Sequence, residues 1–179
     1  MCGIAGWVDW EINLSKETRI LEAMSKALAC RGPDASGIWL SPHAGLAHRR
    51  LTVIDPEGGS QPMIGQQGDH ALVIVYNGEL YNTEELRQEL RLKGHRFFGY
   101  SDTEVLLKAY MQWGAECLER LNGIFAFAIW GEKDQTREFC GRRLKGYCRR
   151  RFWPAPKALT PKPTTLSISR QSETGYFTF

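Results

Sequence analysis

The sequence predicts a domain of mixed α and β structure over residues 1–136. Short apolar segments of strand length alternate with amphipathic segments of helical spacing, and turn-forming residues separate them. The chain has 179 residues, of which 42% are hydrophobic and 24% are charged. These values are typical of one ordinary globular domain, so they exclude a disordered or collagen-like protein.

The elements of the first half are marked by their apolar pattern. Residues 3–8 predict a strand, and residues 36–40 and 45–54 predict two more. Between the first two of these strands, apolar residues recur at helical spacing over residues 20–28, which predicts a helix with one apolar face. The run 71–76 has no polar interruption, so we expect a strand that is buried on both faces.

Two helices follow, and each is marked by a capping pattern. Asn82 and Glu85 predict the start of the first, and Ser101 and Glu104 form a fuller capping box that begins the second. A glycine ends each of them. The second helix places Asp102 in its first turn, where free backbone N–H groups favour a carboxylate and help to keep it ionised.

The regular pattern ends after a last predicted strand at residues 123–130. Residues 137–179 carry ten Lys or Arg against two Glu, whereas residues 1–136 carry thirteen Lys or Arg against eighteen Asp or Glu. We therefore expect residues 136–179 to be a basic, Pro-rich tail that is disordered or out of frame. The alternative is a true basic tail that binds an acidic partner or nucleic acid.

Neither metal binding nor membrane insertion is predicted. The five cysteines include no Cys-x-x-Cys pair and the four histidines are scattered, so a structural zinc site has little support. No apolar run approaches the ~20 residues of a membrane helix, and no signal peptide is visible. We therefore expect a reduced, cytoplasmic protein without a membrane partner.

The second residue is a candidate nucleophile. Cys2 directly follows Met1, and removal of Met1 would make the thiol the side chain of the first residue. A free α-amine has an ordinary pKa of about 7.7–8, so it could take the thiol proton directly or through one water. An N-terminal cysteine then carries its own base. The alternative is a cysteine at the second position without a role.

Seven segments, in matching order, resemble the glutaminase domain of class II (N-terminal nucleophile, Ntn) glutamine amidotransferases. They look most like glutamine-hydrolysing asparagine synthetases, because residues 48–55 have the His-x-Arg-Leu-x-x-x-Asp form of that branch. Seven weak matches in register over about 130 residues make coincidence a poor explanation. The segments are MCGIAG at 1–6, RGPD at 31–34, LAHRRLTVID at 46–55, QPM at 61–63, YNGELYN at 76–82, SDTE at 101–104 and GIFAFA at 123–128.

The resemblance implies an α+β fold, a four-layer α/β/β/α sandwich of two antiparallel sheets as in Ntn hydrolases. It covers residues 1–135, which we expect to form the glutaminase domain. In the family an Arg-Asp-x-x-Gly-x-Lys-Pro-Leu-Tyr type segment follows, and residues 140–149 do not match it. We therefore expect a truncated, frameshifted or fragmentary chain whose fold is incomplete at the C-terminal end.

The resemblance also implies an activity, the glutaminase half-reaction of an asparagine synthetase. Cys2 would attack the side-chain amide of L-glutamine and form a thioester, and glutamate and ammonia would be released. Asn77 and the backbone N–H of Gly78 would stabilise the oxyanion. For Asn77-Gly78 the alternative is a hairpin turn. For the whole chain the alternative is a non-catalytic fragment or a glutamine-binding remnant without turnover.

The same resemblance implies which residues bind the two charged groups of free glutamine, its α-carboxylate and its α-ammonium. Arg50 is the candidate for the α-carboxylate because its planar fork can bind two oxygens at once. Asp102 is the candidate for the α-ammonium, aided by Glu79 and by the backbone carbonyls of Val53 and Ile54. The alternatives are a surface charge at a strand end for Arg50 and a helix-dipole acid for Asp102.

Cofactors and partners follow the parent family. No cofactor is implied for the glutaminase step, and ATP and Mg act only in a synthetase domain that we do not find in this sequence. The implied partners are L-glutamine and that synthetase domain of the full-length parent, without nucleic acid or membrane, and a homodimer is left open. His48 is expected to be a structural hydrogen-bonding residue, and Arg49 is a less suitable carboxylate partner than Arg50.

Overall fold

The computed structural model describes residues 2–52, 59–131, 136–143, 147–152 and 175–178. The described strands are β1 (Gly3–Val8), β2 (Ala35–Leu40), β3 (Ala44–Arg50), β4 (Met63–Gln67), β5 (His70–Leu80), β6 (Gly123–Gly131), β7 (Thr136–Arg143), β8 (Tyr147–Phe152) and β9 (Gly175–Thr178). The described helices are α1 (Thr18–Ala27), α2 (Thr83–Leu92) and α3 (Asp102–Trp113), with 3₁₀ helices at Leu14–Lys16 and Gly114–Glu119.

The strands form two antiparallel sheets. The first has the strand order β2-β3-β1-β9 and the second has the order β4-β5-β6-β7-β8. In the first sheet, Gly3 of β1 lies opposite Arg49 of β3. In the second, β5 pairs with β6 from Leu72 as far as Leu80. β6 is paired on both edges, so it is a central strand.

The two sheets face each other across one apolar layer. Its buried side chains include Ile4 and Leu46 from the first sheet and Val73 and Val75 from the second. Along each strand these side chains alternate with others that point toward the helices, because successive residues of a strand face opposite ways. The inter-sheet layer therefore identifies which residues of β1, β3 and β5 face the opposite sheet.

Helices cover the outer faces of both sheets. Leu21 of α1 packs with Ala5 and Ala47 on the first sheet. On the second sheet, α2 and α3 form a larger cluster in which Leu106 is buried with Ile74. The order of layers is helix, sheet, sheet, helix, so the α/β/β/α sandwich of two antiparallel sheets is confirmed.

Several elements differ from their predicted bounds. β5 continues past the predicted end at residue 76 because its pairing with β6 extends until Leu80 lies opposite Gly123. β3 ends at Arg50, before the predicted end at residue 54. β4 was not predicted, and it is held by pairing with β5.

The two predicted capping patterns have different outcomes. Ser101 accepts a hydrogen bond from the N–H of Glu104 at 3.3 Å, which confirms the cap of α3. Asn82 does not cap α2 with its side chain. It donates instead to the carbonyl of Arg120 and accepts from the N–H of Asn122. The predicted start of α2 is confirmed, because Asn82 is its N-cap residue, but the side-chain cap is not formed, because contacts to the segment before β6 replace it.

The chain beyond residue 136 also differs from the prediction that no regular structure forms there. β7 pairs with β6, β8 pairs with β7, and β9 pairs with the free edge of β1. Two of these strands extend the sheet that the sequence predicts to be incomplete. Strand pairing uses backbone groups, so it does not require the side-chain period on which the prediction depends. The division of the chain at residue 135 stays a prediction.

Candidate active site

Cys2 lies directly before β1 and is held by the segment that follows β3. Its Sγ accepts a hydrogen bond from the N–H of Leu51 at 3.4 Å and donates to the carbonyl of the same residue at 3.6 Å. The pairing of Gly3 with Arg49 brings the start of β1 to this point. These backbone contacts fix the thiol in place. Because Cys2 is only partly buried, the thiol is still reachable from solvent.

The turn at residues 31–34 supports the segment that holds this sulfur. The N–H of Asp34 donates to the carbonyl of Arg50 at 3.0 Å. The Asp34 carboxylate accepts a hydrogen bond from the N–H of Thr52 at 2.7 Å. These two bonds lie on either side of Leu51, so the turn fixes the backbone that contacts the thiol.

The two neighbouring arginines of β3 point to opposite faces of the first sheet. Arg49 lies on the helix side, where its Nε donates to the carbonyl and the hydroxyl of Ser25, both at 3.1 Å. Arg50 follows Ala44 and Leu46 in the strand alternation, so it lies on the inter-sheet side, where it is 8% exposed. The arginine that the sequence favours for a carboxylate is thus the one that faces the second sheet.

His48 is a buried and neutral neighbour of Arg50. The pKa of His48 is lowered to about 4, mainly by burial and also by the charge of Arg50, while a hydrogen bond with the Tyr76 backbone acts in the opposite direction. Its Nε2 has no hydrogen-bond partner among the described residues. The imidazole is uncharged at neutral pH and connects β3 to β5, which agrees with a structural role.

A small cavity lies at the inter-sheet end of β3. It has a volume of about 50 Å³, which is large enough for more than one water molecule. Arg50 therefore borders open space although its side chain is largely buried. The lining residues are Ala35, Ser36, His48, Arg50, Ser60 and Gln61.

Asn77 and Gly78 lie inside β5 and not in a hairpin turn. They pair with Ala126 and Phe125 of β6 in the strand register. A Cβ on Gly78 would lie 2.4 Å from the carbonyl oxygen of Ile124. Gly78 is therefore required by the close approach of two strands, and the hairpin alternative does not describe this site.

Three of the predicted site residues lie on the facing surfaces of the two sheets. Cys2 precedes Ile4 by two residues and Asn77 follows Val75 by two, and both of these apolar residues belong to the inter-sheet layer. Arg50 lies on the same side of β3. Strand alternation therefore directs a thiol, a guanidinium and an amide into the space between the sheets.

Asp102 is joined to β5 by Tyr76. The phenol of Tyr76 donates to Oδ2 of Asp102 at 2.8 Å. Burial raises the pKa of Asp102, and hydrogen bonds from this phenol and from the backbone of Leu80 and Thr103 act against that rise. The net direction is opposite to the one that the helix start alone predicts, because the loss of water outweighs the N–H groups of the first turn.

The phenol of Tyr76 stays protonated and is surrounded by acidic groups. Burial raises the pKa of Tyr76 well above its usual range, and the charge of Asp102, their hydrogen bond and the charges of Glu79 and Cys2 raise it further. Cys2, Glu79 and Asp102 thus each act on the Tyr76 phenol, which makes direct contact with Asp102.

The start of α3 is fixed from two directions. Arg87 of α2 is 2% exposed and donates to the carbonyls of Gly99 and Ser101 at 2.8 and 3.4 Å. The Glu104 carboxylate accepts hydrogen bonds from the N–H groups of Phe98 and Gly99 at 3.0 and 2.9 Å. The loop that leads to Asp102 is therefore held by charge-assisted hydrogen bonds on both sides.

Two predicted site residues lie outside the described part of the chain, and metal and membrane binding can be considered only for the described part. Val53 and Ile54 lie outside the described residues. Within the described ranges, no group of three or more His, Cys, Asp or Glu side chains is arranged to hold a metal ion. No helix in those ranges has both the length and the apolar character needed to cross a bilayer. The described site thus offers a thiol, amides and charged groups.

Sequence reasoning missed several contacts of this region. Gln61 accepts a hydrogen bond from the Tyr76 N–H and donates to Oγ1 of Thr103 at 3.0 Å, so it joins β5 to α3. Asp34 and Tyr76 were not assigned a role either. All of these residues fall inside the seven matching segments, which was the available signal, but a residue type does not reveal its distant partner.

Comparison with known proteins gives the following relatives. The family model of a glutamine amidotransferase domain matches residues 1–144. The chain is 52% identical over 133 residues to asparagine synthetase [glutamine-hydrolyzing] 3 of Bacillus subtilis (strain 168), a match that covers 74% of this chain and 22% of the relative. It is 41% identical over 135 residues to asparagine synthetase B [glutamine-hydrolyzing] of Escherichia coli (strain K12), which covers 75% and 24%.

A solved structure is similar over nearly the whole chain. Glutamine phosphoribosylpyrophosphate amidotransferase from B. subtilis, complexed with ADP and GMP, superposes with a TM-score of 0.66 and 22% identity. The likeness covers 99% of this chain and 41% of that one. At this identity it bears on the fold, and it agrees with the two-sheet sandwich described above.

Proposed function

Because the chain belongs to the glutamine amidotransferase domain family, we propose that it hydrolyses L-glutamine to glutamate and ammonia, the glutaminase half-reaction of an asparagine synthetase. One observation carries the proposal: Cys2, Arg50 and Asn77 lie on the facing surfaces of the two sheets. A nucleophile, a carboxylate-binding fork and an amide donor are the groups that binding and attack of an amino-acid amide require.

The activity concerns only part of the proteins that the chain resembles. The chain spans 22% of the length of the B. subtilis synthetase, and the names of both relatives combine an asparagine synthetase with glutamine hydrolysis. We assign the hydrolysis to this chain and the use of ammonia to the synthetase domain of a full-length parent. ATP and magnesium act only in that domain, and the glutaminase step needs no cofactor.

The nucleophile in this proposal is the Cys2 thiolate. Removal of Met1 frees the α-amine, which takes the thiol proton, and Sγ then attacks the side-chain amide carbon of glutamine. The proton passes to the leaving nitrogen, so ammonia departs and a γ-glutamyl thioester remains. Water attacks the thioester carbon, which releases glutamate and restores the thiol. The backbone contacts of Sγ with Leu51 support this role, because they hold the sulfur in one place before the substrate binds.

Asn77 and Gly78 serve the oxyanion that forms in both attacks. The Asn77 side chain and the Gly78 N–H are donors on a central pair of strands, so they need little reorganisation when charge develops. The burial of Asn77, which is 8% exposed, supports the proposal because a donor is more effective where water is excluded.

The charged ends of glutamine bind to Arg50 and to the acidic groups near Tyr76. Arg50 pairs with the α-carboxylate, and the cavity beside it leaves room for that group. Asp102 pairs with the α-ammonium, with help from Glu79 and from the carbonyls of Val53 and Ile54. A free amino acid is then matched at both charges, which favours it over a glutamine residue within a peptide.

Ammonia release from the purified chain tests this function. Wild-type protein should release ammonia from L-glutamine, and Cys2→Ala should reduce the release to background while Cys30→Ala, which removes an exposed cysteine, should leave it unchanged. Intact mass should show that Met1 is absent from the active protein. Full activity in Cys2→Ala, or in protein that retains Met1, would contradict the mechanism.

A second measurement separates the enzyme from a binding remnant. A glutamine analogue with an electrophilic carbon in place of the amide should add its mass to the peptide that contains Cys2. Folded protein that binds glutamine but neither releases ammonia nor is labelled would support the remnant.

A further inference from the structure

We propose that Tyr76 is a positioning residue for the substrate: its phenol holds the Asp102 carboxylate in place to receive the α-ammonium of glutamine. The inference rests on the proposed function and assigns to Tyr76 a role in binding, not in the chemical step. Tyr76 does not contact the reacting atoms in this proposal, since it acts through Asp102.

The geometry allows few positions for the Asp102 carboxylate. The Tyr76 phenol donates to its Oδ2 at 2.8 Å, which is the usual length of an O–H···O hydrogen bond. The Tyr76 ring is 3% exposed and is packed in the core between α3 and the second sheet, so the phenol cannot follow a moving carboxylate. Asp102 itself is only partly buried, so one oxygen is held while its surroundings stay open to a ligand.

Gln61 fixes the two ends of this hydrogen bond relative to each other. Its side chain accepts a hydrogen bond from the Tyr76 N–H and donates to the hydroxyl of Thr103, the residue after Asp102. The same side chain thus connects the strand that carries the phenol to the helix that carries the carboxylate. A contact of this kind is typical of residues that support a binding site.

The charged groups around Asp102 show which side chain holds its carboxylate. Burial favours the protonated acid, and Glu79 places a further carboxylate near the same phenol. The other charged groups close to the start of α3 are engaged elsewhere: Arg87 with backbone carbonyls of the preceding loop and Glu104 with N–H groups of that loop. Among these groups, Tyr76 is the side chain that donates to the carboxylate.

Equilibrium binding to an inactive protein provides the test, because it is independent of the chemical step. The dissociation constant for L-glutamine is measured by calorimetry with Cys2→Ala and with Cys2→Ala/Tyr76→Phe between pH 4 and 8. We expect about tenfold weaker binding in the double variant at neutral pH, which is the effect of a lost hydrogen bond to a charged group. We also expect the acid-side loss of affinity to move up by about one pH unit, because Asp102 then protonates more readily.

Matched variants identify the cause of any change. Tyr81→Phe in the Cys2→Ala background removes an exposed phenol from the same segment and should leave binding unchanged. With Asp102→Asn added, Tyr76→Phe should cause no further loss, as expected for two residues that act as one unit. If Tyr76→Phe fails to fold, Asp102→Glu replaces it: this change keeps the charge but displaces the carboxylate, and should also weaken binding about tenfold.

The outcomes separate the inference from the function on which it rests. If the affinity for L-glutamine, and its loss at low pH, are the same with and without the Tyr76 phenol, the role of Tyr76 is overturned. The glutaminase proposal would remain intact. Absence of glutamine binding by folded Cys2→Ala protein would instead overturn the proposed substrate, and the role of Tyr76 with it. A fall in thermal stability without a change in binding would assign Tyr76 to the core alone.

Discussion

Gly78→Ala is the substitution that most directly tests how the backbone supports the site. In β5 the added Cβ would lie 2.4 Å from the carbonyl oxygen of Ile124 and 2.5 Å from Cα of Phe125. Both are backbone atoms of a central strand, so no side-chain rotation relieves the contact. The two strands would have to separate by about 0.6 Å to reach even the 3.0 Å below which real Cβ contacts are essentially never seen.

The expected cost follows from this displacement. Overpacking of a well-packed region costs about 1–3 kcal/mol. Stretching the neighbouring strand hydrogen bonds adds about 1 kcal/mol. We therefore expect a loss of roughly 2–4 kcal/mol in the free energy of unfolding, or about 5–15 °C in Tm for a chain of this size. Because the same movement displaces a proposed oxyanion donor, kcat for ammonia release should fall by about a hundredfold.

Denaturant unfolding and an ammonia-release assay, run on the same preparations, measure both effects. Gly94→Ala is the matched control: Gly94 has a φ of +92° and open space around its Cβ position, so alanine there should cost about 1–2 kcal/mol through backbone strain and leave kcat unchanged. Wild-type stability in Gly78→Ala would refute the close approach of β5 and β6. A normal kcat in the destabilised protein would refute the placement of the oxyanion donor.

Two further predictions concern β3. His48 binds a proton near pH 4 when folded but near pH 6.5 when unfolded, so the unfolding free energy should fall by about 3 kcal/mol as the pH drops through this window. His48→Leu should flatten that dependence in urea titrations, and an unchanged slope would contradict a buried neutral imidazole. Arg50→Lys should raise KM for glutamine about tenfold or more, whereas Arg49→Lys should lower stability by about 1 kcal/mol through its Ser25 contacts and leave KM unchanged. Equal effects on KM would contradict the opposite orientation of the two side chains.

Local patterns were sufficient for most of the fold. The apolar run 71–76 is a buried strand, and the Ser101 side chain does cap the start of α3, because both signals depend on residues a few positions apart. The same reasoning predicted the start of α2 at Asn82 but missed the partners of its side chain, which are about forty positions away. It also failed beyond residue 136, where backbone pairing with β6 forms a strand without an apolar period.

The residues of the proposed site could be selected from the sequence, but the contacts among them could not. Resemblance of the seven segments was enough to select Cys2, Arg50, Asn77 and Asp102. It did not reveal that the Tyr76 phenol binds Asp102, because the two residues are 26 positions apart and meet only when α3 packs on the second sheet.

The sequence by itself predicted most of the strands and helices up to residue 131, which residues alternate along them, and which side chains have the right chemistry for an amide. Those properties depend on near neighbours in the chain. Only the tertiary structure decided that Arg50 faces the second sheet while Arg49 faces α1, and that burial raises the pKa of Asp102 against the effect of its helix. Orientation and loss of water depend on the elements that pack around a residue, and those elements come from distant parts of the chain.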